Sequence, residues 1–307
     1  MEGARNIPTI SELRVQVRQL LKEREEDLNV LVVGLPGSCK STLINSMNMA
    51  LAEQWHELAQ FGKGDSNKTL WVKKILMFQD KFMNEKVENY EKKVYFWDCA
   101  GIENLSDEAY GEFIGLTLDG KVPDGTHLFD SVKKERQLVT VRDLRKKFAT
   151  VNQENRFHRL LFLCPCDNAA PENLLKLVKD TTTPQGNKSR NLPVFLVMSK
   201  ADKIPDGQRL QEMGEYKKRK SKAESALVLV GNKKRTTELK LYHAAVEGQD
   251  VGCDVDVFGN FLPDEEIDKG LLILLCNLLA PSYDQHLAYN ENTSTDSFEP
   301  SQQCVVS

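Results

Sequence analysis

The chain has 307 residues, with 41 Lys and Arg against 45 Asp and Glu, so its formal net charge of -4 gives no overall electrostatic footprint for nucleic acid. Seven cysteines, an odd number without an even-spaced framework, follow a polar N-terminus that lacks an apolar leader; this argues against secretion and disulfides and predicts reduced thiols in a cytoplasmic chain. No apolar run approaches the ~20 residues that span a bilayer, which leaves only peripheral membrane association, and Gly270–Ala280 predicts a buried terminal helix instead.

In chain order, Ile10–Glu26 places leucines and valines at helical spacing among charges, with Thr9 or Ser11 as its cap, so residues 1–27 form a leading amphipathic helix. Leu28–Ser41 then reads Leu-Asn-Val-Leu-Val-Val-Gly-Leu-Pro-Gly-Ser-Cys-Lys-Ser, a buried strand entering a G-x-x-x-x-G-K-[S/T] phosphate loop. The chemistry needs backbone N–H groups around phosphates, a lysine that reaches the outer ones and a hydroxyl for Mg²⁺, which Gly34, Lys40 and Ser41 supply. Cys39 stands at the pattern's second glycine, where a side chain would crowd the phosphates, while Gly37 keeps the loop pliable. Thr42–Leu51 continues as a helix whose N-terminus favours anions. A thiol at that terminus beside Lys40 is expected to have a lowered pKa.

Phe61–Thr69 is rich in Gly, Lys, Asp, Ser and Asn and predicts an exposed loop. Leu70–Phe78 and Lys93–Trp97 alternate as paired strands, with Trp71 and Trp97 on core positions. Asp98-Cys99-Ala100-Gly101 closes the second of these, where a D-x-x-G holds Mg²⁺ through its carboxylate and meets a γ-phosphate through the glycine N–H. Leu160–Cys164 and Pro193–Met198 are short apolar runs of the kind buried on both faces of a parallel sheet. Pro171–Lys179 between them is helical and Asp180–Asn191 is a polar connector. Ser199-Lys200-Ala201-Asp202 follows the later run; there a lysine packs over a purine and a carboxylate accepts from guanine's N1–H and amine, a donor pair that adenine lacks. Glu238–Ala245 predicts the last strand and Asp264–Leu279 the last helix. All three motifs close apolar strands, so they meet at the carboxyl edge of one sheet.

The assembled motifs resemble the translation-factor and Ras-like GTPases and, within them, the interferon-induced protein 44-like family. The closer resemblance rests on Asp98-Cys-Ala-Gly-Ile-Glu, on Tyr110-Gly-Glu-Phe and on Gly120-Lys-Val-Pro-Asp-Gly125, and it covers Leu28 to Pro281. It implies an α/β fold, a Ras-like P-loop GTPase domain over 28–281 with a mixed, mostly parallel six-stranded sheet between helices, and an innate-immune role. Gly34, Gly37, Ser38, Cys39, Lys40, Ser41 and Thr42 would then bind the phosphates, and Gly101 the γ-phosphate. Ser41, Asp98 and a first-switch Thr69 would hold Mg²⁺, and Lys200 and Asp202 would read the base of GTP or GDP. The last strand, ending Tyr242-His-Ala-Ala-Val, lacks the family's asparagine-tyrosine pair.

Ile102 follows Gly101 where a Ras-like enzyme has its water-orienting glutamine, so hydrolysis needs help from Glu103, the first switch or a partner chain. Residues 282–307 are polar and aromatic-poor, predicting a flexible tail. The chain finishes Cys304-Val-Val-Ser, a C-a-a-X pattern that favours farnesylation of Cys304 and, with GTP-driven homo-oligomers, a membrane tether. Three function classes follow: a slow or partner-activated GTP-binding protein, a catalytically inactive scaffold, and an ATP-dependent enzyme that would make Ser199–Asp202 accidental.

Overall fold

The computed structural model describes residues 8–60, 70–79, 90–103, 107–134, 137–183, 191–203, 210–243, 253–256 and 260–287. Helix α1, Ile10–Lys22, begins at Thr9 in a full capping box with Glu12 and buries Leu13, Val17 and Leu21. It shares an apolar cluster with α2 (Lys40–Ala52), α8 (Glu265–Leu279) and one face of the sheet. The opposite face is covered by α3 (Glu108–Leu118), α6 (Glu172–Thr182) and α7 (Leu210–Ala226).

The sheet contains β1 (Leu28–Gly34), β2 (Trp71–Leu76), β3 (Val94–Asp98), β4 (Thr126–His127), β7 (Arg159–Pro165), β8 (Val194–Ser199) and β9 (Thr236–Glu238), in the order β4-β2-β3-β1-β7-β8-β9. Strands β3, β1, β7, β8 and β9 run parallel, and β2 is antiparallel to both β3 and β4. Every residue of β1, β7 and β8 is buried, as a strand covered on both faces requires. This is the α/β G-domain architecture, with the two-residue β4 making seven strands rather than six. A two-stranded ribbon of β5 (Lys133–Lys134) and β6 (Gln137–Leu138) lies between the short helices α4 (Leu128–Val132) and α5 (Val141–Lys147).

Two local expectations fail. The last strand ends at Glu238: Leu239 still donates its N–H to the Met198 carbonyl, but beyond it the chain leaves the sheet, and Tyr242 is buried against α2 and α8, donating its backbone N–H to Ser46 Oγ and its hydroxyl to Asp268. Trp71 is 46% exposed, since β2 presents it on its open side, where it meets the His127 ring edge-on.

Two buried titratable groups give the fold opposing pH responses. His158 accepts the Asn29 N–H at Nδ1, and burial, with Arg159 and Arg24 adding to it, pulls its pKa down to about 4. The unfolded chain therefore takes up a proton between about 6.5 and 4 that the native state refuses, and this contribution is lost as pH falls. Asp268 joins Arg14 to Tyr242 and is pushed up to about 6 by burial, so its contribution is present at low pH and lost as pH rises from about 4 to 6. In urea titrations at pH 6.5 and 4.5, His158→Gln should lose less stability on acidification than the unmodified protein, and Asp268→Asn should lose more. Equal losses in all three proteins would refute both assignments.

Candidate functional site

The parallel strands bring Gly34, Asp98, Pro165 and Ser199 to one edge, so the loops after β1, β3, β7 and β8 converge there. Gly34 is obligatory: a Cβ on it would lie 2.6 Å from Ser38 Oγ and 2.7 Å from the Leu163 carbonyl. Gly37 and Cys39 both take left-handed backbone, φ 70° and 68°, and α2 starts immediately afterwards. A glycine accepts that conformation without strain; a cysteine at Cys39 does not. Thr42 lies in the first turn of α2 and is half-buried.

Lys40 is buried, and its ammonium turns back on the loop, donating to the Leu35 carbonyl at 2.9 Å and the Gly34 carbonyl at 3.4 Å. Burial lowers its pKa, against the attraction of Asp98. Ser41 donates its hydroxyl to Asp98 Oδ2 at 2.6 Å, and Asp98 Oδ1 is buried with no hydrogen-bond partner among the described residues. Burial raises the Asp98 pKa, opposed by Ser41, Lys40 and Lys73. A buried carboxylate oxygen without a partner, beside a serine hydroxyl at a loop of backbone donors, is a donor set that fits a hard divalent cation. Gly101 is buried just beyond, and the next residue ties the two loops together through the Ile102 N–H, 3.1 Å from the Gly34 carbonyl. The Ile102 side chain is fully buried in the core, so it is turned away from any reacting water.

The Ser199–Asp202 segment is bolted to the phosphate loop by Ser199 Oγ, which donates to the Ser38 carbonyl at 3.0 Å. Lys200 adopts φ 59° and pairs with Asp167 at 3.0 Å; Asp202 lies in a 3-10 turn, Ala201–Lys203, 3.7 Å from His243 Nε2. Asp167, His243 and the serine-to-carbonyl bolt escape motif reading. The one sequence signal for Asp167 is a polar residue directly after a buried strand at the shared edge. Thr69 and Cys304 lie outside the described residues.

The expected drop in the Cys39 pKa is not found. Burial, the largest influence, pushes the thiol up, and the nearby Lys200 and Lys40 are countered by Asp167 and Asp202. Cys164 and Cys166 are buried and pushed up to about 12, and no group of three or more metal-binding side chains occurs among the described residues. Replacing Cys39 by glycine should relieve the left-handed strain, raising stability by about 1 kcal/mol and the melting temperature by about 2–4 °C. It should also tighten nucleotide binding by clearing the loop. Calorimetric titration with GDP beside a thermal melt checks both; weaker binding in the glycine variant would mean that the thiol is accommodated and used.

The fold and this edge define a P-loop domain of the G-domain kind. No protein-family model matches the sequence, and no curated protein does. Among solved structures it is similar to Toc33 from Arabidopsis thaliana in complex with GDP and Mg²⁺, at 12% identity over 89% of this chain and 93% of that one, TM-score 0.46. The chloroplast translocon components atToc33 and psToc159 give 15% identity, 88% and 90% coverage and a TM-score of 0.49. Era, in complex with MgGDPNP and 16S ribosomal RNA, gives 16% identity, 71% and 52% coverage and 0.38. Likeness at this level concerns the chain trace alone, and the site stands on its own geometry. No helix among the described residues is long and apolar enough to cross a membrane.

Proposed function

We propose that this protein binds GTP and GDP together with Mg²⁺ and acts as a nucleotide-dependent switch, slow in hydrolysis until a partner assists. The observation that carries the reading is the Ser41–Asp98 pair, whose second carboxylate oxygen has no partner among the described residues, set between the phosphate loop and the Lys200–Asp202 segment. Gly34, Gly37, Ser38, Cys39 and Thr42 would line the phosphates and Lys40 would turn from the loop carbonyls to them. Ser41, Asp98 and Thr69 would hold the metal, which supplies charge neutralisation at the phosphates. Gly101 would meet the γ-phosphate, and Lys200 and Asp202 would select guanine. Burial of Ile102 supports slow intrinsic turnover, because no side chain at that position orients water.

The same burial, with strain at Cys39, favours a second reading in which the fold survives as a nucleotide-locked interaction scaffold. The resemblance to the interferon-induced protein 44-like family supports placing either form in an innate-immune response. Calorimetry with GDP and ADP, with and without Mg²⁺, tests the first reading: guanine preference and Mg²⁺-dependent tightening are expected. Equal affinity for GDP and ADP would overturn it. Single-turnover GTP hydrolysis then separates switch from scaffold, which would show no phosphate release.

A further inference from the structure

The nucleotide edge accounts for none of the chemistry at the far end of α7. Residues 213–235 hold eight Lys and Arg against two Glu, in a chain whose net charge is -4. Arg219, Lys220 and Lys222 are committed to Glu215, Glu238 and Glu172. Lys217, Lys218, Lys233 and Lys234 are exposed and form no ion pair among the described residues. Between these lysine pairs the helix ends in a Schellman turn, with the Leu229 N–H bonded to the Glu224 carbonyl at 2.7 Å and Val228 at its left-handed position, φ 57°. Glycine is the residue such a turn asks for, and a β-branched one there is an outlier.

No packing compensates for that choice. Leu227 and Leu229 are buried and anchor the turn, whereas Val228 is 62% exposed and Val230 71%. The backbone is held in a strained state that projects two apolar side chains close in sequence to Lys233 and Lys234, with Lys217 and Lys218 about 15 Å back along α7, and strain kept without internal benefit points outward to a use. The turn precedes β9, whose Thr236 aligns with Leu196, while β8 runs on to Ser199 and the phosphate loop. A surface engaged at the turn itself therefore leaves the nucleotide edge open.

We propose that the Val228–Val230 turn, with Lys217, Lys218, Lys233 and Lys234, is a docking surface for an anionic lipid bilayer. The valines enter the boundary between headgroups and acyl chains, and the lysines meet the negative surface potential, the two contributions that interfacial binding combines. A nucleic acid would engage the lysines and have no use for the valines.

The test is sedimentation of the full chain, from a bacterial host, with vesicles of phosphatidylcholine alone and of phosphatidylcholine mixed with phosphatidylserine. Binding is expected only to the mixed vesicles, weakening as salt rises. Lys233→Gln/Lys234→Gln should bind about 25-fold more weakly, from about fivefold per lysine. Val228→Gly/Val230→Ser should lose about tenfold or more through its lost apolar contact. Val228→Gly alone should raise the melting temperature by about 2 °C, which separates lost docking from lost folding. No binding to the mixed vesicles overturns the proposal. So does full binding by the valine variant, which would mark a general polyanion surface.

Discussion

Lys40→Ala should weaken GDP binding by about 100- to 1,000-fold while leaving the folded domain intact. The ammonium is buried at the start of α2, beside Asp98, and in the structure it spends its hydrogen bonds on the Leu35 and Gly34 carbonyls. Charge-assisted bonds to phosphate contribute roughly 1.5–3 kcal/mol each, and two of them account for the expected loss. Stability should respond differently. Burial holds the Lys40 pKa below its ordinary value even with Asp98 nearby, so the charged side chain is a net cost to the nucleotide-free fold. Removing it relieves that cost, against the loss of one bond to the Leu35 carbonyl and a long one to the Gly34 carbonyl, which keeps the Ile102 N–H as a partner. A melting temperature within about 2 °C of the unmodified protein is therefore expected, which is under about 1 kcal/mol for a chain of this size. Titration with GDP, read beside thermal melts, decides the matter. Unchanged affinity would place the phosphates somewhere other than this loop.

The parts of the fold legible in the sequence are those whose burial is decided locally. Leu28–Gly34, Arg159–Pro165 and Val194–Ser199 are buried throughout and apolar but for Asn29, Arg159 and Ser199, because helices cover both of their faces, and that composition survives in one dimension. The final helix is readable from Asp264, whose side chain caps the Glu266 and Ile267 N–H groups, and from the unbroken apolar run that follows. Helix α3 is harder: Glu108–Leu118 carries two glycines and is buried on most sides, so it shows neither strong propensity nor a polar face. The end of β9 is decided by tertiary contact, since Leu241 and Tyr242 have strand composition but pack into the cluster formed with the helices.

The candidate site divides in the same way. The phosphate loop, Asp98 and Lys200–Asp202 each follow a buried strand, so sequence spacing alone puts them on one edge. Asp167 and His243 belong to no motif and become partners of Lys200 and Asp202 only through strand register and the path of the chain after β9. The Cys39 thiol shows the limit most clearly. Its neighbour Lys40 and its place before a helix predict a lowered pKa, but burial and two carboxylates brought from β7 and β8 reverse the direction.

Asp202→Asn should abolish the preference for guanine and create one for xanthine. Asp202 is held in its 3-10 turn by the Ala201 N–H on the Leu239 carbonyl and the Lys203 N–H on the Lys200 carbonyl, and its side chain is only 15% exposed. On the proposed reading, a carboxylate so placed would accept from guanine's N1–H and exocyclic amine, worth roughly 3 kcal/mol in charge-assisted bonds, or about 100-fold over ADP. The amide of asparagine keeps the shape but offers one acceptor and one donor, so it opposes the guanine amine and suits the carbonyl that xanthine carries at that position. His243 complicates an alanine variant, because deleting the carboxylate also removes the imidazole's neighbour at 3.7 Å; the asparagine variant retains a polar atom there. Affinities for GDP, ADP and XDP measured on both proteins should show GDP falling to the level of ADP and XDP rising about tenfold or more, the part of that pairing a neutral amide recovers. An asparagine variant that still prefers GDP over ADP would remove Asp202 from base recognition and leave the selection to the loop after β9.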